Sequence, residues 1–423
     1  MDANERATPS KAQPRHEQYK ELTRVGRDTP MGRYLRCFWY PVASIAELKR
    51  EPVKAVTLLG EKLALFHTEE GAYGLVGRRC PHRGTSLACG MAQAGGIRCA
   101  YHGWKFSADG RCLDQPAEHH ASAMKDEIRI AAYPVEPMGG MLWAYLGPAP
   151  APLLPRFEFM VREDYDKDVG ISRMPCNWLQ IAENTMDPLH IEYLHMRYTN
   201  YVNKRKGLPP VQIRTHKEIA FDIFEYGINK RRLWEGDGPD SQEWTIGHPQ
   251  IFPGHAMVAY GGTDWVQYQL RIPVDDTNTI LYWYNSRRRE GGKAPQAEVP
   301  MWENPWSTPA GEFIPEQLNA QDMMVMITQG DVTDHALEHL GRSDRGVVLY
   351  RETLLQQMER VAKGEDPLGV VRDPAKTTPW IDLPIERHLG YTFSGIQSSA
   401  AYDYPVTDAT TEPASSDDKG SVR

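Results

Sequence analysis

Cysteine is scarce in this chain: six in 423 residues are too few for a disulfide scaffold, which makes the thiols candidates for metal binding. Long apolar runs are missing too. No stretch of eighteen apolar residues suggests a bilayer-spanning helix, so no membrane partner is expected. The opening MDANERATPSKAQPRHEQYK lacks the apolar segment of a secretory signal. Positive charge is in deficit, and a net charge of −8 argues against nucleic-acid binding. No G-x-G-x-x-G follows a strand-like run, so the chain should lack a nicotinamide site of its own. No internal repeat is evident. These absences leave a cytoplasmic protein of ordinary composition, 41% hydrophobic and 25% charged, whose length suits two domains.

Residues 1–20 and 400–423 are polar and are expected to be disordered. From Tyr34 the chain turns aromatic and apolar, with short β-prone segments broken at Gly60, Gly71 and Gly74 and no helical period. Residues 21–150 therefore read as a β domain with an N-terminal lead-in. The proline-rich LGPAPAPLLPRF suits neither strand nor helix and places a linker at 151–160. In the second domain, 161–399, β-like runs occur at AFDIFEYGI, WTIGHPQIF, HAMVAYGG, WVQYQLRIPV and TILYWYNSR. Helix-like runs follow at PEQLNAQDMMVMITQ and GVVLYRETLLQQMERVAKG. The class expected is α+β: an all-β domain, then an antiparallel sheet flanked by helices.

The strongest local signal is RRCPHRGTSLACGMAQAGGIRCAYHGWKF. Cys80 and His82 form C-x-H, and Cys99 and His102 form C-x-x-H. Two short loops, each giving one thiolate and one imidazole, can converge on one inorganic site. A tetrahedral zinc ion and a Rieske [2Fe–2S] cluster both use such ligands. Gly84, Gly90, Gly95, Gly96 and Gly103 let loop amides approach cluster sulfurs, which favours the cluster. Cys89 and Cys112 read as small buried apolar residues.

A second concentration lies at Asn177–Arg197, where Glu183, Asn184, Asp187, His190 and His195 crowd an otherwise largely apolar segment. Burying them is costly unless a metal or a proton path uses them. On an ideal helix His190 and His195 stand about 140° apart, so one metal takes both only if the helix kinks or the side chains wrap. Two histidines and a carboxylate, with positions left open for O₂, suit non-haem Fe(II) oxygenases. His335–His339 matches the H-x-x-E-H zinc-peptidase signature, but nothing downstream clearly offers a third ligand. Basic residues cluster at Arg197–Lys217, Lys230–Arg232 and Arg287–Arg289, as a solvated or subunit-facing surface, or as a grip for a carboxylate or an acidic electron carrier. Tyr260, Trp265, Tyr268, Tyr282, Trp283 and Tyr284 read as sheet core or as an aromatic pocket.

C-P-H-R-G followed by C-x-Y-H-G-W resembles the Rieske domain of aromatic-ring oxygenases, and N-x-x-D-P-x-H-x₄-H resembles the catalytic segment of the Rieske non-haem iron oxygenases. LTRVGRDTPMGRYLRCFWYPV and TDHALEHLGRSDRG resemble the phthalate-dioxygenase-like members, so the likeness runs from Leu22 to about Phe393. Respiratory Rieske proteins add a cysteine in each loop; this chain has Thr85 and Ala100 near those places. The resemblance implies that Cys80, His82, Cys99 and His102 hold the [2Fe–2S] cluster, and that His190 and His195 bind a mononuclear iron. It makes Asp322 the third iron ligand, ahead of Asp331 and Asp334. Asp187 matches the carboxylate that bridges an iron ligand to the Rieske His102 of a neighbouring subunit in a head-to-tail homotrimer or stacked hexamer. Asn184 sits near where the family often places an amide beside the iron.

The function implied is that of a terminal oxygenase. It takes O₂ and electrons from a separate NAD(P)H-dependent reductase or a ferredoxin and hydroxylates an aromatic carboxylic acid. O-demethylation of a lignin-derived biaryl acid, of the 5,5'-dehydrodivanillate type, stands ahead of ring cis-dihydroxylation of a phthalate-like acid. A Rieske electron carrier without oxygenase activity is the alternative from another class.

Overall fold

The computed structural model describes residues 13–118, 123–260 and 265–385. Val53–Leu58, Glu61–His67 and Tyr73–Gly77, rich in β-branched and aliphatic residues, pair antiparallel, and Ala132–Tyr133 returns as a fourth strand. Between the third and fourth strands the chain builds a smaller four-stranded sheet from Met91–Gln93, Gly96–Arg98, Lys105–Phe106 and Cys112–Asp114. Phe66, Leu87, Ile97, Trp104 and Phe106 form its core, together with Cys80, Cys99 and Cys112. A third sheet pairs Trp39–Ser44 and Val135–Met138 with Met141–Tyr145.

The second half is an eight-stranded sheet. The five β-like runs supply His216–Phe224, Gly227–Trp234, His248–Ile251, His255–Tyr260, Trp265–Pro273 and Thr279–Arg288. The run AFDIFEYGI covers a hairpin, and WTIGHPQIF begins in a helical turn, Gln242–Thr245. Tyr165–Met174 is also a strand, although its charges hid it. It pairs antiparallel with Thr279–Arg288 and parallel with Met301–Glu303. The Trp178–Met186 helix packs on the strands His255–Tyr260 and Trp265–Pro273, beside the helices Leu318–Ile327 and Arg345–Ala362. This is the expected α+β architecture. No helix among the described residues is long and apolar enough to cross a membrane.

Three expectations need correction. Disorder over residues 1–20 fails from Gln13 onward, where Gln13–Leu22 is a helix. Charge dominates that stretch, but Tyr19 and Leu22 are buried, and Tyr19 donates to Glu352 at 3.1 Å and lies under the Arg351 guanidinium. The next helix, Pro30–Leu35, also rests on Arg345–Ala362, so the lead-in leans on the second half. The strap 151–160 is no free spacer. Leu153 and Phe157 bridge to Val371 and Ile381, Leu154, Phe157, Phe159 and Met160 are buried, and Glu158–Val161 is helical. The 386–399 stretch and the 400–423 tail lie outside the described residues. One apolar core takes in Leu58 and Leu63 from the first half and Leu270 and Tyr282 from the second.

Candidate metal centres

The two cysteine–histidine loops repeat one hydrogen-bond pattern. Cys80 N–H donates to Thr85 O at 2.9 Å and Gly84 N–H to Cys80 O at 2.8 Å. Cys99 N–H donates to Trp104 O at 2.8 Å and Gly103 N–H to Cys99 O at 3.0 Å. Gly84 and Gly103 close these turns at φ of +76° and +75°, where a side chain would be strained. Cys80 and Cys99 are only 2% and 3% exposed. His82 is exposed and His102 half-buried, with the rings 4.5 Å apart and His82 stacked on Trp104. Burial, together with the neighbouring Cys99 thiol, pushes the Cys80 thiol up to about 11, so metal binding here must release protons. No three of these donors fall within 4.8 Å of one another, whereas a tetrahedral ion would draw all four to roughly 2.0–2.3 Å from itself. Buried sulfurs beneath outward imidazoles fit a binuclear cluster that would take its thiolates and its imidazoles on different irons.

The second centre starts from a helix capped by Asn177, whose side chain accepts from Leu179 N–H at 3.0 Å. After Asp187-Pro188 the chain resumes as a π-helical segment, Ile191–Tyr198. A π-helix spans five residues per hydrogen bond, so side chains at i and i+5 come to nearly one face. His190 and His195 are thereby turned together. From the Leu318–Ile327 helix Asp322 meets them, its Oδ1 3.0 Å from His195 Nε2 and 3.7 Å from His190 Nε2.

Hydrogen bonds at the far nitrogens fix both tautomers. His190 Nδ1 lies 2.5 Å from Asp187 O, an acceptor only, so Nδ1 carries the hydrogen. His195 Nδ1 lies 3.0 Å from Gln321 Oε1. The Gln321 amide cannot turn over, because its Nε2 donates to Thr199 Oγ1 at 2.9 Å and Pro315 O at 2.6 Å. With Nδ1 engaged on each ring, Nε2 is the atom that each imidazole turns toward Asp322 and the one that would bind a metal. Burial, opposed by Asp322, brings His190 down to about 4. Burial acts on His195 and Asp322 too, but their mutual attraction outweighs it, raising His195 and lowering the carboxyl. These three donors all lie within 4.8 Å of one another, a set that fits a single metal ion.

Comparison with known proteins bears on both centres. The Rieske [2Fe-2S] domain family matches residues 38–134. Over 364 residues the chain is 39% identical to the 5,5'-dehydrodivanillate O-demethylase oxygenase subunit of Sphingobium sp., covering 85% of this chain and 84% of that one. The chain belongs to the Rieske non-haem iron oxygenases. The 3-chlorobenzoate-3,4-dioxygenase oxygenase subunit of Comamonas testosteroni is 30% identical, covering 85% of this chain and 92% of that one. The terminal oxygenase of carbazole 1,9a-dioxygenase from Novosphingobium sp. shares the fold, with a TM-score of 0.61 at 18% identity over 82% of this chain and 97% of that one.

The cofactors of this Rieske oxygenase are a [2Fe–2S] cluster and a mononuclear non-haem iron. The zinc and pure electron-carrier readings fall with that membership.

Around the histidine–aspartate group the oxygenase has two hollows. An inner cavity of about 100 Å³ is lined by Asn184, Lys230, Arg232, His248, Gln269 and Arg271, besides the three donors. An outer cleft of about 820 Å³ contains Asp187, Tyr193, Arg197 and Arg351. His190 and Asn184 line both. Asn184 Nδ2 approaches Asp322 Oδ1 at 3.4 Å. The Asp187 carboxylate differs from the expectation within one chain. It accepts from Leu189 N–H at 2.8 Å in the Asp-Pro turn and stays 3.8 Å from His190 Nδ1, leaving that bond to its own carbonyl. Asp331 and Asp334 are exposed and belong to neither grouping.

Other sequence readings resolve individually. Lys230 and Arg232 are buried, not surface residues, because alternate positions of the Gly227–Trp234 strand face inward. Lys230 donates to Thr185 O at 2.7 Å, and Arg232 pairs with Glu243 at 3.1 Å. Arg287 and Arg289 pair with Asp168 and Asp166 on the adjoining strand. The H-x-x-E-H segment is not helical and His339 is exposed. His335, Glu338 and Glu183 do approach one another, but Arg351 binds both carboxylates, at 2.6 Å to each. Cys112 is buried as expected, whereas Cys89 ends a surface 3₁₀ turn and is exposed. Tyr268, Tyr282 and Tyr284 belong to the core. Sequence reasoning missed Gln321 and Arg271. Gln321 gives no signal, because Thr199 lies 122 residues away, and Arg271 is a lone charge in its strand, Trp265–Pro273.

Proposed function

We propose that this chain is the terminal oxygenase of a multicomponent system that O-demethylates a methoxylated, lignin-derived aromatic acid and releases formaldehyde. The 39% identity to a dehydrodivanillate O-demethylase oxygenase subunit, across 85% of the chain, carries the reading. In it Cys80, His82, Cys99 and His102 hold the cluster, and His190, His195 and Asp322 hold the iron. Iron bound there supplies reductive activation of O₂ at its open positions. The chain's own part is to present two Nε2 lone pairs and one carboxylate oxygen, keep Asn184 beside Asp322, and offer a cationic cavity next to them. Oxygen inserted into a methoxy C–H bond gives a hemiacetal, which breaks to a phenol and formaldehyde. The balance needs one O₂, two electrons and two protons per methyl group and yields one water. A separate NAD(P)H-dependent reductase, directly or through a ferredoxin, is the electron source.

The assembly proposed is a homotrimer, single or stacked as a hexamer, in which Asp187 links His190 to His102 of the partner subunit. Two observations support it: His82 and His102 reach the surface, and second-half residues alone line the cleft around Asp187. A second reading, ring cis-dihydroxylation of a phthalate-like acid, has the 30% identity to a chlorobenzoate dioxygenase subunit in its favour. Purified oxygenase and reductase, supplied with methoxylated aromatic acids, decide between them. Formaldehyde with the matching phenol is the expected product, and a cis-diol would overturn demethylation.

A further inference from the structure

Four arginines are buried among the described residues: Arg36, Arg232, Arg271 and Arg351. Three meet carboxylates, Arg36 with Glu61 at 2.9 Å, Arg232 with Glu243 at 3.1 Å and Arg351 with Glu183 at 2.6 Å. Arg271 does not. It is 2% exposed, and its guanidinium donates only to neutral oxygens: Gly254 O and Gln269 O at 3.3 Å and Gln269 Oε1 at 3.1 Å. Its Nε has no partner. Burial pulls its pKa down to about 10, which leaves it charged at neutral pH. A buried cation that no carboxylate contacts is costly, a cost that a bound anion would offset.

Its surroundings are built to hold it. Gln267, Gln269 and Arg271 share one face of their strand, opposite the core residues Tyr268 and Leu270. Arg271 Nη2 donates to Gln269 Oε1, Gln269 Nε2 to Gln267 Oε1, Gln267 Nε2 to Asn285 Oδ1 and Asn285 Nδ2 to Asp168 Oδ1, all at 2.8–3.1 Å. Every amide in this chain turns its carbonyl toward Arg271 and its NH₂ toward Asp168, so the row is polarised end to end. It orients the guanidinium and offsets its charge by dipoles, while the Asp322 carboxylate supports the cation only from a distance. The cavity that Arg271 lines also takes in Lys230, and its one acid, Asp322, is directed at the two imidazoles.

We propose that Arg271 is the carboxylate anchor of the substrate site, supported by Lys230 and oriented through Gln269, so that an aromatic acid is held with its ring toward His190, His195 and Asp322. This rests on the reading of that site as an oxygenase centre for aromatic acids and names the residue that selects the acid. Charge-assisted pairing of this kind separates a carboxylate from its neutral amide by about 10- to 100-fold in affinity.

The test is equilibrium binding to anaerobic, fully loaded enzyme, comparing 3-methoxybenzoate and 5,5'-dehydrodivanillate with their carboxamides. The wild type should bind at least one acid about 10- to 100-fold more tightly than its amide. Arg271→Gln should bind acid and amide alike, and Arg271→Lys should keep part of the preference. Cluster absorption and iron content report whether the variants fold. If Arg271→Gln does not fold, Gln269→Met, which frees the guanidinium, should narrow the preference severalfold. A wild type with no preference for either acid, or an Arg271→Gln enzyme that keeps it, overturns the proposal. Acid preference without formaldehyde release would instead leave the anchor standing and remove demethylation.

Discussion

Gln321 holds the Nδ1 hydrogen of His195 at 3.0 Å, and because Thr199 and Pro315 both accept from its Nε2, the amide has one orientation available. Loss of such a partner typically costs about 10- to 100-fold in metal affinity. Gln321→Leu should therefore release mononuclear iron to a chelator about 10- to 100-fold more readily than the wild type, with cluster absorption unchanged. Gln321→Glu keeps an acceptor at that point and should retain the metal better. Equal retention in the leucine variant would show that His195 needs no such partner.

His190→Ala removes one donor of the three. Iron content should fall from about three to about two per chain, with the visible spectrum of the cluster intact. A variant that still carries the mononuclear iron would exclude His190 as a ligand.

These two residues show what the sequence disclosed and what it withheld. The cysteine–histidine loops were legible because their ligands lie within 23 residues, and local spacing brings each pair together. The H-x₄-H pair was legible as chemistry but not as geometry. An α-helix would have parted the rings, and only the π-helical hydrogen bonding of Ile191–Tyr198 turns them together. The strands of the second half were found where apolar runs were long. Tyr165–Met174 was missed because polar residues interrupt it on a strand with neighbours on both sides. Lys230 and Arg232 looked like surface charge, since a run of three cations gives no sign of the inward alternation that buries two of them.

Asp187→Asn isolates the charge of that side chain from its structural use. Asparagine can still accept from Leu189 N–H, so the turn before the π-helical segment should survive. Both metals should be retained, while steady-state turnover falls about 10- to 100-fold, the scale seen when an outer partner of a metal ligand is lost. Iron content, together with the rate at which the pre-reduced cluster is reoxidised under O₂ and substrate, checks this. Full reoxidation rates in the variant would remove Asp187 from the electron path.

His255 provides a pH dependence separate from the iron donors. It is buried, its Nδ1 accepts from the Arg271 backbone N–H at 3.1 Å, and Tyr40 and Tyr268 meet its ring edge to face. Burial, with Arg271 adding repulsion, brings its pKa down to about 3 from an ordinary 6.5. Between those values the unfolded chain binds the proton and the folded one does not. Stability is therefore fully present above about pH 6.5 and is lost as pH falls, at about 1.4 kcal/mol per unit for one proton. From pH 6.5 to 5 this residue alone should cost about 2 kcal/mol. His255→Gln keeps a neutral acceptor at every pH and should show a correspondingly smaller drop in its urea midpoint between pH 7 and 5. The other histidines with lowered pKa values, His102, His190, His216 and His248, stay in both proteins, so the difference between the two slopes isolates His255. Parallel slopes would mean that this ring takes up its proton without unfolding.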